Sequence, residues 1–114
     1  MEGSLNREIW KLSAKDINSL YVKKEINPSE VAKNILERIQ EKSEVINAFV
    51  YINKHATLES ARLSDERWKN NNPISILDGI PVSVKDLLLT KNWPTLRGSK
   101  SIDANLEWNE DAPL

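Results

Sequence analysis

The 114-residue chain has the length of one small domain, and its hydrophobic fraction of 39% suits a protein with a modest core. Its 16 Lys and Arg residues against 17 Asp and Glu residues give a net charge of -1, which argues against nucleic acid or an anionic membrane as a partner. The absence of cysteine excludes disulfides and thiolate catalysis, and the absence of a membrane-length apolar run or signal-peptide core predicts a soluble, cytoplasmic protein.

Two helices are predicted from their N-terminal signals. Ser13 and Asp16 have the spacing of a capping box, which predicts a helix over about residues 13–24. Asn27 caps the second helix, predicted over about residues 28–46, with Pro28 at its first position. Apolar residues recur every three or four positions and give each helix one face for ordinary packing. These residues are Ile17, Leu20 and Tyr21 in the first helix, and Val31, Ile35, Leu36 and Ile39 in the second.

A short strand and a third helix follow. Aromatic and branched residues predict the strand over about residues 47–52, and the helical pattern then runs over about residues 54–70. His55 is the only histidine, and no second histidine or any cysteine is available to share a metal with it. The three glycines of the chain lie too far apart to form a phosphate-binding loop. We therefore expect no metal and no cofactor.

Lys85 is the residue whose chemistry most needs an explanation. β-Branched residues before it alternate like the buried face of a strand, which predicts a strand over about residues 80–89. These residues are Ile80, Val82 and Val84. An ammonium group inside such a run is costly unless it is paired, hydrogen-bonded or deprotonated. In the alternative interpretation, the strand ends at Lys85-Asp86 and both charges reach water.

The residues around and after Lys85 resemble the amidase signature family in three pieces. A Gly79-Ile80-Pro81 start leads to Lys85-Asp86, a Pro94-Thr95 turn leads to Gly98-Ser99, and Asp111-Ala112-Pro113 opens a helix. Each piece alone is common, but the three in this order and spacing are specific. The resemblance covers about the last forty residues well and the preceding helices loosely. Asn92 stands where the family usually has glycine, and asparagine tolerates a left-handed backbone there.

This resemblance implies a fold and a reaction. The implied fold class is α/β, with residues 1–114 forming the N-terminal helices and first strands of an amidase signature domain, an incomplete mixed sheet and no separate second domain. The implied reaction is amide C–N hydrolysis by a Ser–cisSer–Lys triad in which Lys85 is the base. The Gly/Ser-rich stretch that carries both serines in the family is absent, since Ser83, Ser99 and Ser101 stand in other contexts. We therefore expect an N-terminal portion that is inactive alone, with a small-molecule amide substrate and a complementing C-terminal portion as its partners.

A complete, non-catalytic α/β module that binds another protein is the rival hypothesis. Consistent helix caps and an ordinary composition favour it. A helix start at Asp111 so close to Leu114, and an apolar strand at 80–89 that would need cover on more than one side, count against it.

Overall fold

The computed structural model describes residues 8–86, 88, 91–97, 101, 108 and 111. They form a 3-10 helix (Ile9–Lys11) and three α-helices, which we number α1 (Ala14–Val22), α2 (Pro28–Ile46) and α3 (Lys54–Lys69). The chain divides into two compact units. The first unit comprises Met1–Ile46 and Asn53–Pro81, and the second comprises Asn47–Ile52 and Val82–Leu114. Among the described helices, none has the length and apolar character needed to cross a membrane.

Each α-helix begins after a polar side chain that caps its first turn. Ser13 Oγ accepts the backbone N–H three residues on at 3.1 Å, and Asn27 Oδ1 and Asn53 Oδ1 do the same at 2.9 Å. Such a cap is worth about 1 kcal/mol, because it satisfies a donor that the helix itself leaves unpaired. The caps predicted at Ser13 and Asn27 are confirmed.

The core of the first unit is formed by side chains from all of its helices and from the link between α1 and α2. The buried members are Ile9, Ile17, Tyr21, Ile26, Val31 and Trp68. The rings of Tyr21 and Trp68 are in contact, with their centroids 5.5 Å apart. The apolar face of α2 is buried only in its N-terminal part, because Val45 and Ile46 at the other end are exposed. The first unit is therefore a small helical body with one core.

The predicted α/β fold with an incomplete mixed sheet is wrong. The described residues contain three α-helices and no β-strand. No strand forms over 47–52, and none forms over 80–89 in its described part, which excludes Leu87 and Leu89. Val82 is 82% exposed and Val84 is 41% exposed, so their alternation does not mark a buried face. Alternation selects the two faces of a strand, but a strand forms only where a neighbouring strand pairs with its backbone groups. The described residues supply no such neighbour.

Candidate active-site segment

Lys85 lies in a non-helical segment of the second unit, and its side chain is exposed. Its backbone carbonyl accepts the N–H of Leu88 at 3.0 Å, so the chain turns immediately after it. The apolar strand that was predicted to surround the ammonium group is not formed by the described residues. The Lys85 side chain is therefore accessible to groups that do not belong to the described residues.

Two hydrogen bonds join the residues next to Lys85 to the Pro-Thr turn. Asp86 Oδ1 accepts the backbone N–H of Leu96 at 2.8 Å. Thr95 is buried, and its Oγ1 donates to the carbonyl of Leu88 at 3.4 Å. The structure therefore brings together the first two pieces of the sequence motif, which lie about ten residues apart in the chain.

The third piece of the motif reaches the same unit through Asp111. Its Oδ1 accepts the backbone N–H of Lys91 at 2.6 Å, and the next N–H, of Asn92, donates to the carbonyl of Trp108. Asn92 has φ of 67°, which confirms that asparagine supports a left-handed backbone at this position. Several motif residues lie outside the described part of the chain, and so does the helix predicted after Asp111. They are Gly98, Ser99, Ala112 and Pro113.

An aromatic contact joins the short segment before α3 to the turn that follows Lys85. The rings of Tyr51 and Trp93 meet edge to face with their centroids 5.1 Å apart. Both residues belong to the second unit, so this contact packs residues 47–52 within the same body as Lys85.

A buried polar cluster centred on Asp78 lies in the first unit. The Asp78 carboxylate accepts hydrogen bonds from Ser64 Oγ at 2.7 Å and from the backbone N–H of Ile74 at 2.9 Å. Arg67 adds two more through Nε and Nη2, both at 2.7 Å, so the ion pair is bidentate. The backbone carbonyl of Asp78 accepts the Trp68 indole N–H at 3.0 Å. These bonds attach the 74–78 turn to α3.

Gly79, which follows in the chain, is held just as closely. Its carbonyl accepts the Tyr21 hydroxyl at 2.6 Å, and burial, reinforced by two nearby carboxylates, raises the pKa of Tyr21. Gly79 has φ of 83°, and a Cβ there would lie 2.6 Å from Pro28 Cγ and 2.7 Å from Ser64 Oγ. Both the backbone conformation and the available space therefore require glycine.

This cluster was not predicted from the sequence, in which Asp78 and Gly79 were considered only as the residues that precede Lys85. The available signal was the Asp-Gly pair, which is typical of turns with a left-handed residue. Ser64 and Arg67 lie three apart on one face of α3, but nothing in the sequence connects that face to Asp78.

We expect the first unit to lose stability in acid through Asp78. The bidentate Arg67 guanidinium, helped by the hydrogen bonds from Ile74 and Ser64, holds the pKa of the Asp78 carboxyl well below its ordinary value of 3.8. Because the folded-state pKa is the lower one, this stabilisation is complete above about pH 5 and is lost as the pH falls. Urea unfolding curves recorded by helical circular dichroism across this range measure the effect.

Asp78→Asn removes the titrating group and should reduce the acid dependence of the unfolding free energy. Glu37→Gln, which removes an exposed carboxylate from the middle of α2, is the matched control for the loss of one charge and should leave the dependence unchanged. Parallel stability–pH curves for the parent and Asp78→Asn would show that Asp78 does not contribute.

No metal centre is found in the part of the chain that the structure describes. There, no group of three or more His, Cys, Asp or Glu side chains is placed to hold an ion.

Comparison with known proteins identifies similar sequences. The family model described as Amidase matches residues 30–112. The glutamyl-tRNA(Gln) amidotransferase A subunit 1 of Clostridium acetobutylicum is 32% identical over 96 residues, which are 84% of this chain and 20% of that protein. The A subunit of Salinispora arenicola is 34% identical over 82% of this chain and 19% of its own length. The A subunit of Tropheryma whipplei is 35% identical over 81% of this chain and 18% of its own length. No solved structure matches.

These relatives are named for a tRNA. The exclusion of nucleic acid that we drew from the net charge is therefore not supported. The chain spans about a fifth of the length of the curated relatives that it matches. The matched region contains Lys85, the Pro-Thr turn and Asp111, and it covers most of this chain. The chain therefore belongs to the Amidase family.

Proposed function

We propose that this chain supplies the catalytic lysine, Lys85, of an amide hydrolase whose two triad serines lie on polypeptide outside these 114 residues. The observation that carries the proposal is the position of Lys85 inside the region matched by the Amidase family model. Its exposed side chain supports the proposal, because a serine from outside the described residues could approach it. In this proposal, residues 1–114 are the N-terminal part of an amidase signature domain.

In the proposed reaction, the neutral amine of Lys85 takes a proton from a bridging serine, which takes the proton of the nucleophilic serine. The nucleophilic oxygen attacks the amide carbon, and the C–N bond breaks as the leaving amine receives a proton through the same relay. Water then attacks the acyl carbon and gives a proton to the relay, the bond between that carbon and the serine oxygen breaks, the relay returns the proton to the serine oxygen, and the carboxylic acid leaves. Lys85 thus holds and returns one proton in each half of the reaction.

Asp86 and Thr95, which lie near Lys85, are suited to position the backbone that carries it. A catalytic group works only when the backbone that carries it is held in place. Asp86 Oδ1 accepts the backbone N–H of Leu96, and Thr95 Oγ1 donates to the carbonyl of Leu88, so two side-chain hydrogen bonds hold the turn after Lys85. These contacts restrain the backbone next to the lysine and leave its amine accessible.

The isolated chain should hydrolyse no amide, because a lysine without its serine relay is not an effective catalyst. Turnover should appear when the chain is co-expressed with the part of the Clostridium acetobutylicum relative that lies outside the matching segment, and Lys85→Ala should abolish it. Release of amine from simple amides, measured on the purified chain and on the complex, tests both statements. Turnover by the pure chain that Lys85→Ala removed would place a nucleophile within these 114 residues.

A more specific second candidate follows from the names of the relatives. Those names describe amidotransfer with glutamyl-tRNA(Gln) by one subunit of an assembly. We propose by extension that the completed protein passes the released nitrogen to an aminoacyl-tRNA with the help of companion subunits. The fate of the nitrogen, as free ammonia or as an amide on tRNA, separates this candidate from simple hydrolysis.

A further inference from the structure

A turn of the first unit presents three large apolar side chains to solvent. Ile74, Ile76 and Leu77 are 78%, 75% and 61% exposed, and Ser75 is the only residue between them. Single exposed apolar residues are ordinary, but three within four consecutive positions form a patch of the kind that marks an interaction site. The turn carries no charge, so a partner for it must offer apolar surface.

This turn, which we call the apolar turn (residues 74–77), is rigid because hydrogen bonds hold it from both sides. Its bonds to the rest of the first unit and within itself are Ile74 N–H to Asp78 Oδ2 at 2.9 Å, Asn18 Nδ2 to the Ile76 carbonyl at 2.8 Å, Leu77 N–H to Ser75 Oγ at 3.1 Å and Ile80 N–H to the Leu77 carbonyl at 3.0 Å. Asp78 is in turn fixed by the bidentate Arg67. A surface held in this way loses little conformational entropy on binding, which favours affinity.

We propose that the apolar turn docks into an apolar groove of the polypeptide that carries the remaining part of an amidase domain. The proposal rests on the proposed function, and it adds the surface through which the two parts associate. The similarity of the chain to longer Amidase proteins indicates which polypeptide covers the turn. The apolar turn lies inside the region that the Amidase family model matches, and the chain accounts for only 20% of the Clostridium acetobutylicum relative. In such a protein the other four fifths of the chain are available to cover this turn.

The test uses the 114-residue chain with an affinity tag, co-expressed with the part of the Clostridium acetobutylicum relative that lies outside its 96 matching residues. Ile76→Asp and Leu77→Asp should each weaken co-purification and the measured association by about tenfold or more, as expected for a central apolar contact. Because both side chains are exposed, the helical circular dichroism of the free chain should not change.

Leu63→Asp is the matched control. Leu63 is an exposed leucine on α3, on the side opposite to the buried Ala61, Ser64 and Trp68. This variant should associate like the parent. Asn18→Ala removes only the bond to the Ile76 carbonyl, so it should weaken association less than the aspartate variants while leaving the apolar side chains in place.

The outcomes separate this proposal from the proposed function. Lys85→Ala should associate like the parent but give no turnover, and an active Lys85→Ala complex would overturn the catalytic role while leaving the docking surface intact. Equal association of Ile76→Asp, Leu77→Asp and Leu63→Asp, or no association of the parent chain, would overturn the docking proposal. So would a homodimer of the free chain that Ile76→Asp dissociates, because a second copy would then occupy the turn.

Discussion

Lys85→Arg should abolish amide hydrolysis by the completed enzyme almost as fully as Lys85→Ala. A general base contributes about 10²- to 10⁴-fold to a rate, and arginine cannot take this role because its guanidinium group stays protonated in proteins. Arginine keeps the positive charge and reaches slightly further than lysine, so the variant separates proton transfer from charge. Single-turnover acylation, measured with a simple amide, reports the step in which the base acts.

Asp86→Asn is the control for damage to the same turn. Asparagine retains an oxygen that can accept the Leu96 N–H but loses the charge that strengthens this bond, so the change should affect the stability of the turn more than the chemical step. If folded Lys85→Arg kept most of the activity, the lysine would contribute charge and not proton transfer, and the assignment of the triad base would be wrong.

Gly79→Ala should lower the unfolding free energy of the first unit by about 2–5 kcal/mol. A left-handed backbone costs a residue with a Cβ about 1–2 kcal/mol, and forcing a methyl group into a packed site costs about 1–3 kcal/mol more. The crowding is direct, because the nearest atoms belong to the Pro28 ring and to Ser64, which also bonds Asp78. Urea unfolding recorded by helical circular dichroism reports this unit, since all three α-helices belong to it.

Asn71→Ala is the matched control for the backbone contribution. Asn71 also has a positive φ, of 54°, but it is exposed, so alanine there should cost only about 1 kcal/mol. Equal losses for the two variants would show that the space around Gly79 is not limiting. A Gly79→Ala variant as stable as the parent would mean that this turn is not fixed in solution.

The sequence revealed those features of the fold that depend on neighbouring residues. Ser13 and Asn27 could be recognised as caps because a cap and the N–H it accepts lie three residues apart. The tolerance of a left-handed backbone at Asn92 was likewise a property of the residue itself. The motif around Lys85 was recognisable because order and spacing in the chain are what define a family pattern.

Features that depend on distant partners were missed or predicted wrongly. A strand over 80–89 was predicted from alternation alone, but alternation contains no information about the neighbouring strand that must pair with it. The prediction of apolar surroundings for Lys85 depended on that strand, so it was wrong as well: the side chain is exposed. Asp78 joins Ser64 and Arg67, which lie 14 and 11 residues away in the chain, and no local pattern indicates such a pairing.

The contacts of Asp78 and Gly79 also determine when the first unit can be completed on the ribosome. Tyr21 binds a carbonyl 58 residues further along the chain, and Trp68 binds one 10 residues further along. Both acceptors emerge after every helix of this unit has been synthesised. The nascent helices therefore have an unfinished core until residue 79 leaves the exit tunnel, only six residues before Lys85. Completion of the helical unit and emergence of the lysine are thus nearly simultaneous events in translation.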